Sequence, residues 1–342
     1  MGIYAAESHD VLSVIIKNKA VTLADVLVLR RQVWPDGAVS KSEAEMLFRM
    51  HAAIEKGCAE WDDFLVEALT NCLVEQAHPQ GYVSDEDAAW FERHITREGK
   101  VAGAAELEAL ITVLERAVHV PHRLEMLALK TVCDAVLQGD KALVANVALE
   151  TGVVGDPEVA LLRRILYSKA GARSEAISLD EATMIYDLSA ATAPGTRCSA
   201  WTTLFVTVLS NYLLVQNGYV APSRVRLREI DSWLNRPSTG VIGFTAAVAR
   251  RASPSFHSGG VFADLKTAFS DLSPLEDVYA LRDGAEDFSV TPRVDSLEAR
   301  WLVKHLAREG ELRLNERALL VFLKAGGFRV DPVLNSRIRD AG

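Results

Sequence analysis

Basic stretches, metal-spaced cysteines, long unbroken apolar runs and nucleotide-binding glycine loops are all missing from this 342-residue chain. Lys and Arg number 37 against 46 Asp and Glu, a net charge of −9. That balance excludes a general affinity for nucleic acid or anionic membrane, since either needs a basic surface. Cys58, Cys72, Cys133 and Cys198 form no Cys-x-x-Cys pair and read as reduced, mostly buried thiols of a cytoplasmic protein. No Gly-x-Gly-x-x-Gly, Walker loop, Gly-x-Ser-x-Gly or His-Glu-x-x-His occurs, so no motif points to an enzyme. The opening MGIYAAESHDV lacks the basic region of a secretory signal. Proline is scarce at 11 residues, and no stretch of four or more alternates convincingly, so essentially no sheet is expected.

What is present is helical periodicity, repeated. In 58–76 the apolar residues Trp61, Phe64, Leu65, Ala68, Leu69, Cys72 and Leu73 form a stripe at i, i+3, i+4, i+7 and i+8. CAEWDDFLVEALTNCLVEQ (58–76) shares seven of nineteen positions with CSAWTTLFVTVLSNYLLVQ (198–216), including Trp61/Trp201 and Asn71/Asn211. VSDEDAAWFERHITREG (83–99) shares seven of seventeen with VDSLEARWLVKHLAREG (294–310), including Trp90/Trp301 and His94/His305. LRRQVW (29–34) likewise sits over LRRILY (162–167), and VSKSEAEMLF over ISLDEATMIY (177–186). The order of the matches predicts an all-α, internally duplicated helical bundle with halves at 1–150 and 151–342. Each half holds two helix–Gly turn–helix–helix units, and a loop-rich insertion at about 238–290 interrupts the second half.

The segment from Cys198 to Ser223 carries no charge, but its apolar part is only about 14 residues long against the roughly 20 of a membrane span. Its counterpart bears Asp62, Asp63 and Glu67, so no transmembrane segment is expected. Thr202, Thr203 and Thr207 stand in the second half, and threonine hydroxyls can be satisfied by the helix's own carbonyls. Burial on all sides is the expectation, with 238–290 or a second protein as cover.

The glycine turns raise a sharper question. Asp36-Gly37 followed by Glu43 resembles the back half of a calcium loop, with Asp36 and Glu43 at the fifth and twelfth positions. The first and third positions would be Gln32 and Trp34, which excludes an ordinary EF-hand. Capping is the favoured alternative. Gly37 would end one helix in the left-handed conformation, and Ser40-Lys41-Ser42-Glu43 forms a capping box that Ser178-Leu179-Asp180-Glu181 repeats. His119-Val-Pro-His122 reads as a helix-start turn. His94 and His305, each just before a glycine turn, read as cations at helix C-termini.

The units PDGAVSKSEAEML, REGKVAGAAELEAL and REGELRLNERALL resemble those of the tellurite-resistance TerB-like helical family. The resemblance covers about a third of the chain. It implies an all-α fold and stress-response or membrane-associated complexes as company. It also implies divalent-cation (Ca or Mg) binding through acidic residues by the turns; apart from the resemblance, a site shared between units would draw on Asp36, Glu43, Glu98, Glu309 or Glu316 with Asp62 and Asp63. Asp36 and Glu43 match the family's acidic positions, whereas Glu98 and Glu309 stand where it has Asp. The expectation is a non-enzymatic, cytoplasmic helical-repeat protein that binds a protein partner as a scaffold and needs no cofactor. A homodimer is left open, and a divalent-cation stress protein is the alternative.

Overall fold

The structure, a computed structural model, describes residues 15–33, 37–139, 151–168, 177–192, 198–215, 293–306, 312–325 and 328–340. It is predominantly helical, as expected. The chain divides into two compact units, residues 1–135 with 140–149 and residues 136–139 with 150–342.

The first unit contains α1 (Leu23–Val33), α2 (Lys41–Ala53), α3 (Ala59–Thr70), α4 (Asp85–Ile95), α5 (Ala104–Arg116) and most of α6 (His122–Gln138). The helices start where their side chains satisfy free amides. Ser40 Oγ accepts from Glu43 N while the Glu43 carboxylate accepts from Ser40 N at 2.7 Å, the reciprocal box expected for α2. Ser84 Oγ accepts from Asp87 N at 3.0 Å at the start of α4. There Asp85, Glu86 and Asp87 fill the first turn and Arg93 and His94 the last, complementing the helix dipole.

Helix α3 is the axis of this unit. It packs chiefly against α5, and its stripe of Trp61, Phe64, Leu65, Ala68 and Leu69 is wholly buried. Burying a residue such as Leu65 contributes about 1.5–3 kcal/mol relative to exposure. Helix α3 continues through Asn71–Glu75 as a π turn, and the Asn71 side chain reaches the loop ahead of α2. Its Oδ1 accepts from Val39 N at 2.9 Å, and its Nδ2 donates to Glu75 Oε2 at 2.8 Å.

The second unit contains α7 (Asp156–Leu166), α8 (Leu179–Ala191), α9 (Ser199–Val215), α10 (Ser296–Leu306), α11 (Leu314–Ala325) and α12 (Pro332–Asp340). Ser178 and Glu181 form the capping box of α8. Helix α9 packs chiefly against α11, and Trp201 is as buried as Trp61. Asn211 Oδ1 accepts from Ile177 N at 3.1 Å, as Asn71 does from Val39. Thr203 and Thr207 hydroxyls donate to the carbonyls of Ser199 and Thr203, as their place in a charge-free helix predicts. The insertion at 238–290, expected to cover this helix, lies outside the described residues.

Essentially no sheet was expected, and among the described residues only two pairs of two-residue strands occur. Thr96–Arg97 (β1) pairs antiparallel with Lys100–Val101 (β2), and Arg293–Val294 (β3) pairs parallel with Arg329–Val330 (β4). Glu98 (φ 54°) and Gly99 (φ 77°) both lie in the left-handed region. Two such residues make the primed turn whose twist suits a hairpin, so Gly99 closes a hairpin instead of capping α4. The parallel pair joins segments distant in sequence and is two residues long, too short for alternation to register. A parallel bridge between Tyr82 and His119 takes the corresponding place in the first unit.

Gly81 tightens that bridge. It sits at φ +84°, and an added Cβ would come within 2.8 Å of Val118 Cγ2. Gly81→Ala is expected to destabilise the protein by about 1–3 kcal/mol through backbone strain and this clash. Asn71→Ala and Asn211→Ala each strand an amide, at a cost of about 1–3 kcal/mol. Urea denaturation midpoints check all three, and unchanged midpoints in both asparagine variants would refute the role given to these side chains.

Candidate functional site

The five carboxylates expected at a cation site are not gathered in one place. Asp36 and Glu309 lie outside the described residues. Glu43 is committed to its capping box, and Glu98 is exposed at the tip of the β1–β2 hairpin. Glu316 is buried in the second unit, where it accepts from Arg313 N at 2.7 Å and from the Tyr186 hydroxyl. Asp62 and Asp63 are exposed on α3. Among the described residues, no three His, Cys, Asp or Glu side chains are grouped to hold a metal ion. His122 pairs with Glu125 at 3.1 Å, while the His119 ring stacks on Tyr82.

His94 and His305 stand in the last turns of α4 and α10, as expected, and their rings also pack. The His94 ring lies 4.9 Å from that of Phe48 and 4.8 Å from that of Trp90, and its Nδ1–H donates to the Trp90 carbonyl at 2.8 Å. His305 repeats this with Tyr186, Trp301 and the Trp301 carbonyl. Aromatic rings in the helix layer bury more apolar area than a solvated imidazolium would.

Two polar clusters were missed by sequence reasoning. In the first, Trp61 Nε1–H donates to His51 Nδ1 at 2.9 Å, which leaves the proton on Nε2 facing Glu106 Oε1 at 3.3 Å. Burial alone would raise the Glu106 carboxyl, but the hydrogen bond from His51 holds it below its ordinary value. Both ring nitrogens of His51 are therefore engaged. Partial burial pushes Asp62 up, and the charges of Glu106 and Asp63 add to that while His51 opposes it.

The second cluster stands out when the starts of α4 and α10 are compared. In the first unit, Lys41 at the start of α2 forms an ion pair with Asp87 and lies 5.8 Å from the Trp90 ring centroid. Burial raises the Asp87 carboxyl, but the bonds from Lys41 and Ser84 outweigh it and the net direction is downward. The aligned residues of the second unit are Leu179 for Lys41, Leu297 for Glu86, Glu298 for Asp87, Asp295 for Ser84, Trp301 for Trp90 and Tyr212 for Cys72. The acid remains, and Leu179 stands in the place of the lysine.

Glu298 is buried, and one of its oxygens accepts from Asp295 N at 3.0 Å. Asp295 Oδ1 accepts from Leu297 N at 2.7 Å. Burial, then the adjoining Asp295 carboxylate, push Glu298 up to about 7, while the proton it shares holds Asp295 below its ordinary value. Burial and the same two carboxylates raise the Tyr212 phenol. Sequence alignment of the halves carries the signal, in the exchange of Lys41 for Leu179 opposite a retained acid.

Comparison with known proteins adds no relative: no family model, curated protein or solved structure matches the chain.

Glu298 gives stability a defined pH dependence. Its folded value of about 7 exceeds the ordinary 4.5, so between the two the folded state holds a proton that the unfolded chain has lost. The stabilisation is complete below pH 4.5 and disappears as the pH rises through 7. Glu298→Gln, which cannot ionise, is expected to melt a few degrees above wild type at pH 8 and level with it at pH 5. Parallel melting curves across that range would contradict the assignment.

Proposed function

We propose that this protein is a non-enzymatic, cytoplasmic, internally duplicated helical-repeat protein that acts as a protein-binding scaffold, with TerB-like kinship. The duplication is supported by the matching order and lengths of α2/α8 and α4/α10, the paired capping boxes, the Asn71 and Asn211 bonds, and the two ring stacks. The non-enzymatic reading is supported by His51, whose ring nitrogens are both occupied within the fold. Among the described residues no helix is long and apolar enough to cross a membrane.

The outer face of α1 carries the binding reading. Val26 and Leu29 bury one face, while Leu23, Leu27 and Val28 are exposed, with Leu23 and Leu27 one turn apart. A helix apolar on two faces has a second face to cover. The Ca or Mg alternative has weaker support, because Glu43 and Glu316 each spend a carboxylate oxygen on a backbone amide.

Leu23→Glu combined with Leu27→Glu changes only exposed side chains and is expected to leave the melting temperature within a few degrees of wild type. The double variant is expected to lose the protein that crosslinks to the wild-type chain in its native cytoplasm, or the self-association seen by sedimentation if the partner is a second copy. Retention of the same crosslinked species and the same sedimentation behaviour would overturn the reading.

A further inference from the structure

We propose that the outward faces of α10 and α12 form a docking surface for an acidic, leucine-bearing segment of a partner protein. This surface belongs to the second unit and the α1 face to the first, so either can lose its partner while the other keeps one. Charge is unevenly placed along the chain. Residues 293–342 carry ten Lys and Arg against seven Asp and Glu, although the whole chain stands at −9. The fold sharpens that asymmetry. Among the described residues of 293–306 and 328–338, every exposed charged side chain is an arginine or a lysine. The acids there are spent on helix starts: Asp295 and Asp331 accept from Leu297 N and Val333 N at 2.7 and 2.9 Å, and Glu298 is buried.

The topology sets two such faces side by side. Strands β3 and β4 run parallel with Arg293 in register with Arg329, and the helices that follow them, α10 and α12, pack against each other. Each helix starts at the same step after its strand, with an Asp cap, so Leu297 and Val333 stand at matching places two residues past the caps. Leu297 is 74% exposed and Val333 47% exposed. From Leu297 the exposed stripe of α10 runs on through Arg300 and Lys304, and from Val333 that of α12 reaches Arg337. Arg300, Lys304, Arg329 and Arg337 take part in no ion pair among the described residues. Arg293 acts on the half-buried Asp295. Like charges opposite each other on paired strands repel, and a carboxylate from outside relieves that repulsion. In the first unit the positions aligned with Leu297 and Arg300 hold Glu86 and Ala89, so this polarity is particular to α10.

Charge and shape together select the occupant. Four of the five exposed cations are arginines, whose planar forks match carboxylates. The two apolar side chains among them supply the hydrophobic centre of a protein interface, with the charges as its rim. An anionic membrane or a nucleic acid also offers negative charge, but either presents a broad surface that the acidic remainder of the chain repels. A short protein segment stays within the patch, where that field is screened.

The test uses the full chain and the fluorescence anisotropy of a fluorescein-labelled amphipathic peptide of leucine and glutamate, with its leucine–glutamine counterpart as the neutral control. The glutamate peptide is expected to bind and to be released at about 1 M salt, where the screening length falls to about 3 Å, while the glutamine peptide does not bind. Arg300→Glu with Arg337→Glu and, separately, Leu297→Ser with Val333→Ser are each expected to weaken binding about tenfold. All four side chains are exposed, so both variants are expected to melt within a few degrees of wild type. Leu23→Glu with Leu27→Glu is expected to keep the peptide, which separates this surface from the α1 face. No binding of the glutamate peptide, or equal binding by wild type and the arginine variant, would overturn the surface. Binding of phosphatidylserine vesicles or single-stranded DNA without the peptide would overturn the assignment to a protein segment. Self-association in sedimentation that the arginine variant abolishes, without peptide binding, would replace the partner by a second copy and overturn it too.

Discussion

The Asn71 side chain reaching back to the amide of Val39 is the contact on which the first unit's arrangement turns. Without it the loop ahead of α2 would bring an unpaired N–H against the axial helix, and desolvating such a group is costly. With it, the loop is held so that Ser40 and Glu43 form their box and α2 leaves at a set angle. Helix α2 in turn delivers Phe48, His51 and Lys41 to their partners on α4, α3 and α5. The bond does not require the π turn that Asn71 opens, because α9 is α-helical through Val215 and makes the same bond. Asn211 does the same work for Ile177 in the second unit.

On this common frame the two units carry different charges. The first pairs its buried acids Glu106 with His51 and Glu125 with His122, and its half-buried Asp87 with Lys41. The second binds Glu316 to the Tyr186 hydroxyl and to a backbone amide, and surrounds it with neutral links. Thr202 donates to Asn315 Oδ1 at 2.7 Å, and Asn315 Nδ2 donates to Ser189 Oγ at 2.9 Å. Glu158, Glu181 and Glu298 are buried in the same way, each accepting from a backbone amide at the start of its helix.

Much of this fold was legible in the residues. The stripe of Trp61, Phe64, Leu65 and Leu69 announced a buried helix, and the Ser-x-x-Glu spacing announced the caps at Ser40 and Ser178. Glu98-Gly99 misled, because a glycine after a helical run reads equally as a helix cap or as half of a primed turn, and only the pairing of Thr96 with Val101 separates them. The sequence placed His94 and His305 at helix ends but could not show the rings they stack on.

By itself the sequence determined the helical character, the places where α2 and α8 begin, and the burial of the paired tryptophans. Those properties depend on local periodicity and on side chains reaching their own nearby amides. Only the tertiary structure decided which polar groups meet. His51 finds Glu106, Tyr186 finds Glu316, and Tyr212 finds Trp301. Such contacts join helices far apart in the chain, and their geometry follows from how the helices pack, which no local pattern encodes.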